Sequence, residues 1–89
     1  MRKRDPTLIF MDILSSLMEG PKVPTRLAQA CNINYTRLEG FAQPLLEKGL
    51  IVKQRLDGQD AYAITKEGSS LYHDWLEIWR RLPLGTYLK

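Results

Sequence analysis

Pairs of apolar residues recur every four positions near the start of the chain. This spacing predicts an amphipathic helix with one broad apolar stripe. Asp5 suits its start as an N-cap, and Pro6 fits the first helical position. Gly20 and Pro21 end it. The pairs are Ile9-Phe10, Ile13-Leu14 and Leu17-Met18.

Two further helices are predicted in the middle of the chain. Residues 22–24 are extended and long enough only for a strand stub, because a residue before proline avoids the helical region. A helix over about residues 25–31 follows. After a short polar turn, a longer helix is predicted over residues 34–48, with Asn34 as its N-cap. Gly49 ends this helix, because glycine readily adopts the left-handed conformation of a C-cap.

Pro44 lies inside this third helix. A proline there removes one backbone hydrogen bond and clashes with the carbonyl one turn earlier, at a cost of about 3 kcal/mol in a regular helix. The carbonyl concerned belongs to Gly40, whose flexibility eases a bend. We therefore expect a kink between Gly40 and Pro44, or two helical pieces.

Residues 51–64 predict a β-hairpin, since apolar and polar residues alternate on either side of Asp57-Gly58, a strong hairpin turn signal. Thr65 is the expected N-cap of a fourth helix over about residues 66–82, which Pro83 and Gly85 end. The predicted fold class is mainly α with a small β-hairpin, in the order α-β-α-α-β-β-α. A length of 89 residues predicts a single domain.

Several classes of function are disfavoured by the sequence. Cys31 is the sole cysteine, which excludes an internal disulfide framework and a Cys-rich metal site. His73 has no cysteine or histidine at metal-ligand spacing. No Walker loop, HExxH, GxGxxG or nucleophile elbow is present. We therefore expect no enzymatic activity, no cofactor, no metal and no small-molecule substrate.

The sequence also gives expectations about location. No apolar run approaches the roughly 18 residues that a membrane span needs. Charged and polar residues soon after the basic start, among them Asp5 and Asp12, argue against a signal peptide. We expect a cytoplasmic, nucleoid-associated protein with no membrane partner.

Positive charge is concentrated in the first part of the chain. Residues 1–55 carry nine basic and five acidic groups, whereas residues 56–89 carry four basic and five acidic groups. The part of the chain with this excess includes the predicted binding surface. It also includes the terminal cluster Arg2, Lys3 and Arg4, which is either a DNA-binding arm or a disordered terminus. This asymmetry favours a polyanionic partner.

The order of elements resembles a winged helix-turn-helix domain. The segment LLEKGLIVK, residues 45–53, is similar to the end of a recognition helix entering the wing. The segment AITKEGSSLYHDWL, residues 63–76, is similar to the last wing strand leading into a C-terminal helix through a Thr-x-x-Gly step. Over residues 6–82 the chain is most similar to small archaeal winged-helix DNA-binding proteins. The resemblance implies binding of double-stranded DNA and pairing through the C-terminal helix in an antiparallel coiled coil.

The resemblance also implies which residues meet DNA. Arg37 is the expected base contact, since arginine bonds guanine bidentately, although a solvated helix arginine is the alternative. Lys53 and Arg55 suit phosphate contact, or protection of a strand edge. The acids Asp57 and Asp60 at the wing tip would repel phosphate. The recognition-helix set is Asn34, Tyr35, Thr36, Arg37, Gly40 and Gln43, and the wing set is Lys53, Arg55 and Gln59.

The fourth helix carries two apolar stripes, whereas a terminal helix needs only one to pack on its own domain. A second stripe with tryptophans favours a partner subunit, or else a wide buried face. The first stripe is Leu71, Trp75, Ile78 and Leu82, and the second is Tyr72, Leu76 and Trp79. We expect residues 6–64 to form the core of the domain and residues 65–82 a dimerisation helix.

Together these patterns predict a homodimeric DNA-binding transcriptional regulator. It would bind duplex DNA through the recognition helix 34–48 and the wing 51–64. Two alternatives stay open: a winged-helix module that binds another protein, and a sequence-tolerant architectural DNA-binding protein of chromatin.

Overall fold

A computed structural model of the protein describes residues 5–83. The predicted basic arm, Arg2 to Arg4, and the predicted helix stop at Gly85 lie outside these residues. The described elements are α1 (Pro6–Leu17), α2 (Pro24–Cys31), α3 (Tyr35–Glu47), β1 (Ile51–Leu56), β2 (Gln59–Ile64) and α4 (Lys66–Arg81). This order confirms the predicted fold class.

Side-chain caps fix the starts of three helices, as the sequence predicted. Asp5 Oδ1 accepts a hydrogen bond from the backbone N–H of Thr7 at 2.7 Å. Asn34 Oδ1 accepts one from Arg37 N at 2.8 Å, and Thr65 Oγ1 accepts one from Gly68 N at 3.0 Å. Each cap satisfies a backbone donor that has no partner within the first helical turn.

The hairpin pairs β1 with β2 in antiparallel register, from Ile51 opposite Ile64 to Leu56 opposite Gln59. Asp57 and Gly58 form its two-residue turn, with φ values of 52° and 78°. Positive φ at both positions is characteristic of the tight turn that suits the twist of a hairpin. On the other edge of β2, Lys22 and Tyr62 exchange backbone hydrogen bonds of 3.0 and 2.9 Å. The predicted strand stub is therefore confirmed as a single bridge.

The core lies between the first three helices and the hairpin. Its side chains come from the inward stripe of each helix and from the first and middle residues of the two strands. The buried members are Ile9, Ile13, Leu14, Leu17, Leu27, Ala28, Cys31, Leu38, Ala42, Leu45, Ile51 and Tyr62. The helices anchored in this core leave one face of α3 and the turn end of the hairpin exposed.

Helix α3 continues through Pro44 without interruption, so the alternative of two helical pieces is wrong, while the alternative of a kink stays a prediction. Ala42 and Leu45 are buried on either side of the proline and hold both parts of the helix against the core. Gly40, whose carbonyl loses its hydrogen bond, is exposed, so water can satisfy that oxygen. Packing and hydration thus offset the cost of the missing bond.

A compact joint attaches the start of α4 to the segment between α3 and β1. Thr65 Oγ1 lies 2.6 Å from the carbonyl oxygen of Gly49 and 3.0 Å from that of Leu50. Thr65 N also donates to Leu50 O at 3.1 Å. At Gly68 a Cβ atom would overlap the carbonyl oxygen of Leu50 and lie 2.9 Å from Cγ1 of Ile64. The Thr-x-x-Gly step is therefore a point of close backbone approach.

Candidate nucleic-acid interface

One face of α3 is turned away from the core. Because an α-helix turns about 100° per residue, the burial of Leu38, Ala42 and Leu45 places four residues on the opposite side. These are Thr36, Gly40, Gln43 and Glu47, and all four are exposed. We call them the outward face of α3. Three of the predicted recognition residues thus share this face, whereas Asn34 serves as the N-cap at its start.

Arg37 lies on the flank of α3 next to α1. Its guanidinium carbon is 5.8 Å from the centre of the Phe41 ring. Phe41 in turn meets Phe10 of α1 edge to face, with ring centres 5.1 Å apart. A cation over an aromatic face gains electrostatic attraction, so this arrangement restrains Arg37 while the side chain stays exposed.

Tyr35 lies on the opposite flank of α3 and is 47% exposed. A hydrogen bond to Glu39 and the negative charge of that carboxylate raise the pKa of the Tyr35 phenol. Burial, followed by the charge of Glu39, raises the pKa of Tyr62 on β2. These residues line a cleft between α3 and the hairpin, which we call the helix–wing cleft. Its lining is Pro24, Tyr35, Glu39, Lys53, Asp60, Ala61 and Tyr62.

Sequence reasoning missed Glu39. The signal was present, because residues four apart on a helix lie side by side, and Glu39 follows the predicted site residue Tyr35 at that distance. Glu39 is exposed and lies between the outward face and the hairpin. The predicted recognition set contained neutral and basic residues and left this acid out.

The hairpin register places Lys53 and Arg55 on the same face, opposite Tyr62 and Asp60. Arg55 Nη1 forms an ion pair of 2.8 Å with Asp60 Oδ1, and Arg55 Nη2 donates to the carbonyl oxygen of Gly58. The charge of Arg55 is therefore held at its own turn and partly balanced. Lys53 forms no ion pair with any of residues 5–83. Gln59 is exposed, but it belongs to the other face of the hairpin and is not brought together with Lys53.

The outward face ends in a carboxylate. Gln43 Nε2 donates to Glu47 Oε2 at 3.4 Å across one helical turn. The basic residues on the flank of α3 and on the wing therefore lie among the acidic residues of α3 and of the hairpin turn. Such a mixed surface attracts phosphate weakly in comparison with a uniformly basic one.

The apolar side chains of α4 are only partly covered. Leu71 and Trp79 are 39% and 38% exposed, Ile78 57% and Leu82 47%. Trp75 and Leu76 are half-buried, and the rings of Trp75 and Trp79 lie 5.1 Å apart. Tyr72 instead packs against the core of its own chain, and its hydroxyl is 3.1 Å from Ser15 Oγ. The predicted dimer set therefore divides into Tyr72, which serves the intrachain contact, and the remaining side chains.

Among residues 5–83, no three His, Cys, Asp or Glu side chains converge as metal ligands would. No helix within the same range is both long enough and apolar enough to cross a bilayer.

This architecture, with α3 exposed beside a two-stranded wing, is that of a winged-helix protein. A winged helix-turn-helix family model matches residues 3–82. The chain belongs to this family, which confirms the resemblance seen in the sequence. No curated protein matches the chain significantly.

Solved structures with the same fold include proteins from archaea. The transcriptional regulator BldR from Sulfolobus solfataricus has a TM-score of 0.79 at 21% identity, over 89% of this chain and 59% of BldR. Sso10a-2, a DNA-binding protein from the same organism, has a TM-score of 0.71 at 22% identity, over 93% of this chain and 90% of that chain. RosR of H. salinarum has a TM-score of 0.74 at 29% identity, over 96% of this chain and 80% of RosR. The chain thus spans a little over half the length of BldR.

Proposed function

We propose that this protein is a DNA-binding transcriptional regulator, without enzymatic activity, that acts on duplex DNA in the cytoplasm. The observation that carries the proposal is the outward face of α3, exposed beside the wing in a chain that belongs to the winged helix-turn-helix family. The major groove of DNA accepts a helix of this kind and displays a distinct pattern of hydrogen-bonding groups for each base pair. The similarity to BldR, a transcriptional regulator, supports the same function.

In this proposal α3 enters the major groove and the wing contacts the backbone. Thr36 and Gln43 face the bases from the outward face, and Arg37 reaches from its flank. Lys53 is the principal wing contact with phosphate, because Arg55 is engaged by Asp60 and by the turn. Phosphate contacts position a protein on the duplex, whereas contacts with base edges give sequence preference.

The chain would act as a homodimer through α4. Three exposed apolar side chains on α4, with a fourth, Leu82, directly after the helix, are more than an isolated protein of this size needs at its surface. Antiparallel pairing of two α4 helices would cover them and set two copies of α3 on one side of the duplex. Successive major grooves on one face of DNA lie about 34 Å apart, which fixes the spacing that such a dimer must match.

Salt-dependent binding to random-sequence duplex tests the proposal. Affinity should fall steeply with salt, with a log–log slope of about −0.9 for each phosphate neutralised. Lys53→Ala should weaken binding to all sequences alike and lower this slope by about 1. Lys66→Ala at the start of α4 removes the same charge outside the proposed interface and serves as the control. Equal losses in both variants would show that only net charge matters.

Arg37→Ala tests the base-reading part of the proposal. The loss of a bidentate base contact should cost about 1–3 kcal/mol at a preferred site and relax the preference at one position. The measurement is a competition titration between a selected duplex and random duplex. A variant that binds every duplex as well as the parent does would remove this role from Arg37.

A protein-binding winged helix is the second candidate, and the acids at the interface favour it. Glu39, Glu47, Asp57 and Asp60 all lie on α3 or near the hairpin turn, where DNA phosphates would approach. Absence of any gel shift at low salt would select this candidate. A third outcome, equal affinity for selected and random duplex, would point to an architectural DNA-binding protein.

A further inference from the structure

Glu39 holds an unusual position for a carboxylate in a DNA-facing helix. It lies next to Gln43 of the outward face and also lines the helix–wing cleft. Every phosphate that approaches α3 is repelled by this charge, so Glu39 lowers the affinity for DNA in general. Because Glu39 lowers the affinity for DNA, we expect its carboxylate to make a contact that a neutral side chain would not make.

We propose that Glu39 determines sequence specificity by accepting a hydrogen bond from the exocyclic amino group of a cytosine in the major groove. This inference rests on the proposed function. In the major groove cytosine presents an amino donor, and glutamate has only acceptors, so the two groups are complementary. A guanine or thymine edge in the same place would present an acceptor to the carboxylate and be rejected.

The surroundings of Glu39 fit this role. Tyr35, one turn earlier, lies beside Glu39 in the helix–wing cleft, where its phenol interacts with the carboxylate. Tyr35 is thus a positioning residue for Glu39. A carboxylate has about four acceptor sites, so one bond from Tyr35 leaves capacity for a base. Within residues 5–83 no basic side chain forms an ion pair with Glu39.

The neighbouring acids are less suited to contact a base. Asp60 is engaged by Arg55 at the hairpin turn. Glu47 accepts from Gln43 and is the last residue of α3, three turns from its start. Recognition helices of helix-turn-helix proteins contact bases chiefly through residues near their N-termini, and Glu39 is the fifth residue of α3.

Selection from a randomised duplex library tests the proposal with the full chain. The parent protein should enrich a sequence with a cytosine at one position of each half-site. Glu39→Gln should replace this cytosine by adenine, because glutamine bonds adenine bidentately. Glu39→Ala should lose preference at that position alone, with the ratio of specific to non-specific affinity reduced about 10-fold. Tyr35→Phe should weaken the cytosine preference without replacing it.

Asp57→Asn is the matched control, since it removes an acid at the exposed hairpin turn, near the DNA phosphates but away from α3. It should raise the affinity for all duplexes and leave the enriched sequence unchanged. If the Glu39 variants behave in the same way as Asp57→Asn, then Glu39 only repels phosphate and the inference is overturned. A parent protein that binds duplex with no base preference also overturns it, while DNA binding stands. A parent that binds no duplex at low salt removes the proposed function itself. Glu39→Gln, nearly identical in shape, decides the matter if Glu39→Ala fails to fold.

Discussion

The two ends of α4 are held by the rest of the chain in very different ways. At its start, Thr65 contacts the carbonyl oxygens of Gly49 and Leu50, and Gly68 is the buried residue of the helix. Toward its end, Ile78, Trp79 and Leu82 are all more than a third exposed. Within residues 5–83, the first end is therefore tied closely to other elements, whereas these distal apolar side chains stay partly exposed.

This difference separates residues that fix the fold from residues that are available for the proposed dimer contact. The start of α4 closes the winged-helix core, because it ties the hairpin exit to the segment after α3. The distal apolar side chains add little to that core, yet exposed tryptophan and isoleucine are costly in water. We therefore expect substitutions at the start to change stability, and substitutions at the distal end to change association.

Gly68→Ala should have the largest effect on stability. The added Cβ would overlap the carbonyl oxygen of Leu50, so the backbone must shift, and we expect a loss of about 3 kcal/mol or more in the free energy of unfolding. Urea denaturation measures this loss. Gly40→Ala is the control, since a Cβ there meets no atom within 4 Å and should stabilise the helix by up to about 1 kcal/mol. Equal stability of the two variants would contradict the close approach at Gly68.

Ile78→Glu should have the largest effect on association. In a symmetric dimer the change places two charges in the interface, so the dimer dissociation constant should rise at least about 100-fold, or about 2.8 kcal/mol. Sedimentation at several concentrations measures the change. His73→Glu adds the same side chain on the polar side of α4 and should leave the dimer intact. If the parent chain is a monomer at every concentration, the proposed role of α4 in dimerisation is wrong.

Much of this fold is predictable because its signals are local. Asn34 and Thr65 cap helices through bonds to residues three positions away, and Asp57-Gly58 has the left-handed conformations that a tight hairpin turn needs. The continuity of α3 through Pro44 depends instead on burial of its neighbours in a core assembled from distant segments. The space at Gly68 is likewise set by Leu50, which is remote in the sequence.

The candidate site was less predictable than the fold, because its charge pairs depend on contacts between segments that are distant in the sequence. The sequence shows that Lys53 and Arg55 share one strand face, but not that Arg55 is bound by Asp60 across the turn. Glu39 is assigned to the candidate site because it lines the helix–wing cleft together with Tyr35 and Lys53. The charge pattern indicates the class of partner, whereas the pairing of charges depends on tertiary structure.

Thr65→Val should have an intermediate effect on stability. Valine keeps the shape of threonine but cannot accept the hydrogen bond from Gly68 N or contact Gly49 O as a donor. We expect a loss of about 1–2 kcal/mol, in the upper part of the range for helix caps. Thr65→Ser keeps the hydroxyl and should recover most of this loss in urea denaturation. A serine variant as unstable as the valine variant would mean that the methyl group, rather than the cap, matters.

Tyr72→Phe should have the smallest effect on stability. Tyr72 lies in the middle of α4, between the start that the chain holds closely and the exposed distal end. The Tyr72 ring packs against the core, and its hydroxyl is 3.1 Å from Ser15 Oγ of α1. Phenylalanine keeps the packing and loses only this bond, so the free energy of unfolding should fall by about 0.5–1.5 kcal/mol while the dimer dissociation constant stays unchanged. Ser15→Ala should cost a similar amount, and the double variant should cost less than the two single losses added together, because both remove the same bond. If Tyr72→Phe weakens the dimer instead, then Tyr72 belongs to the proposed dimer contact as well as to the contact with Ser15.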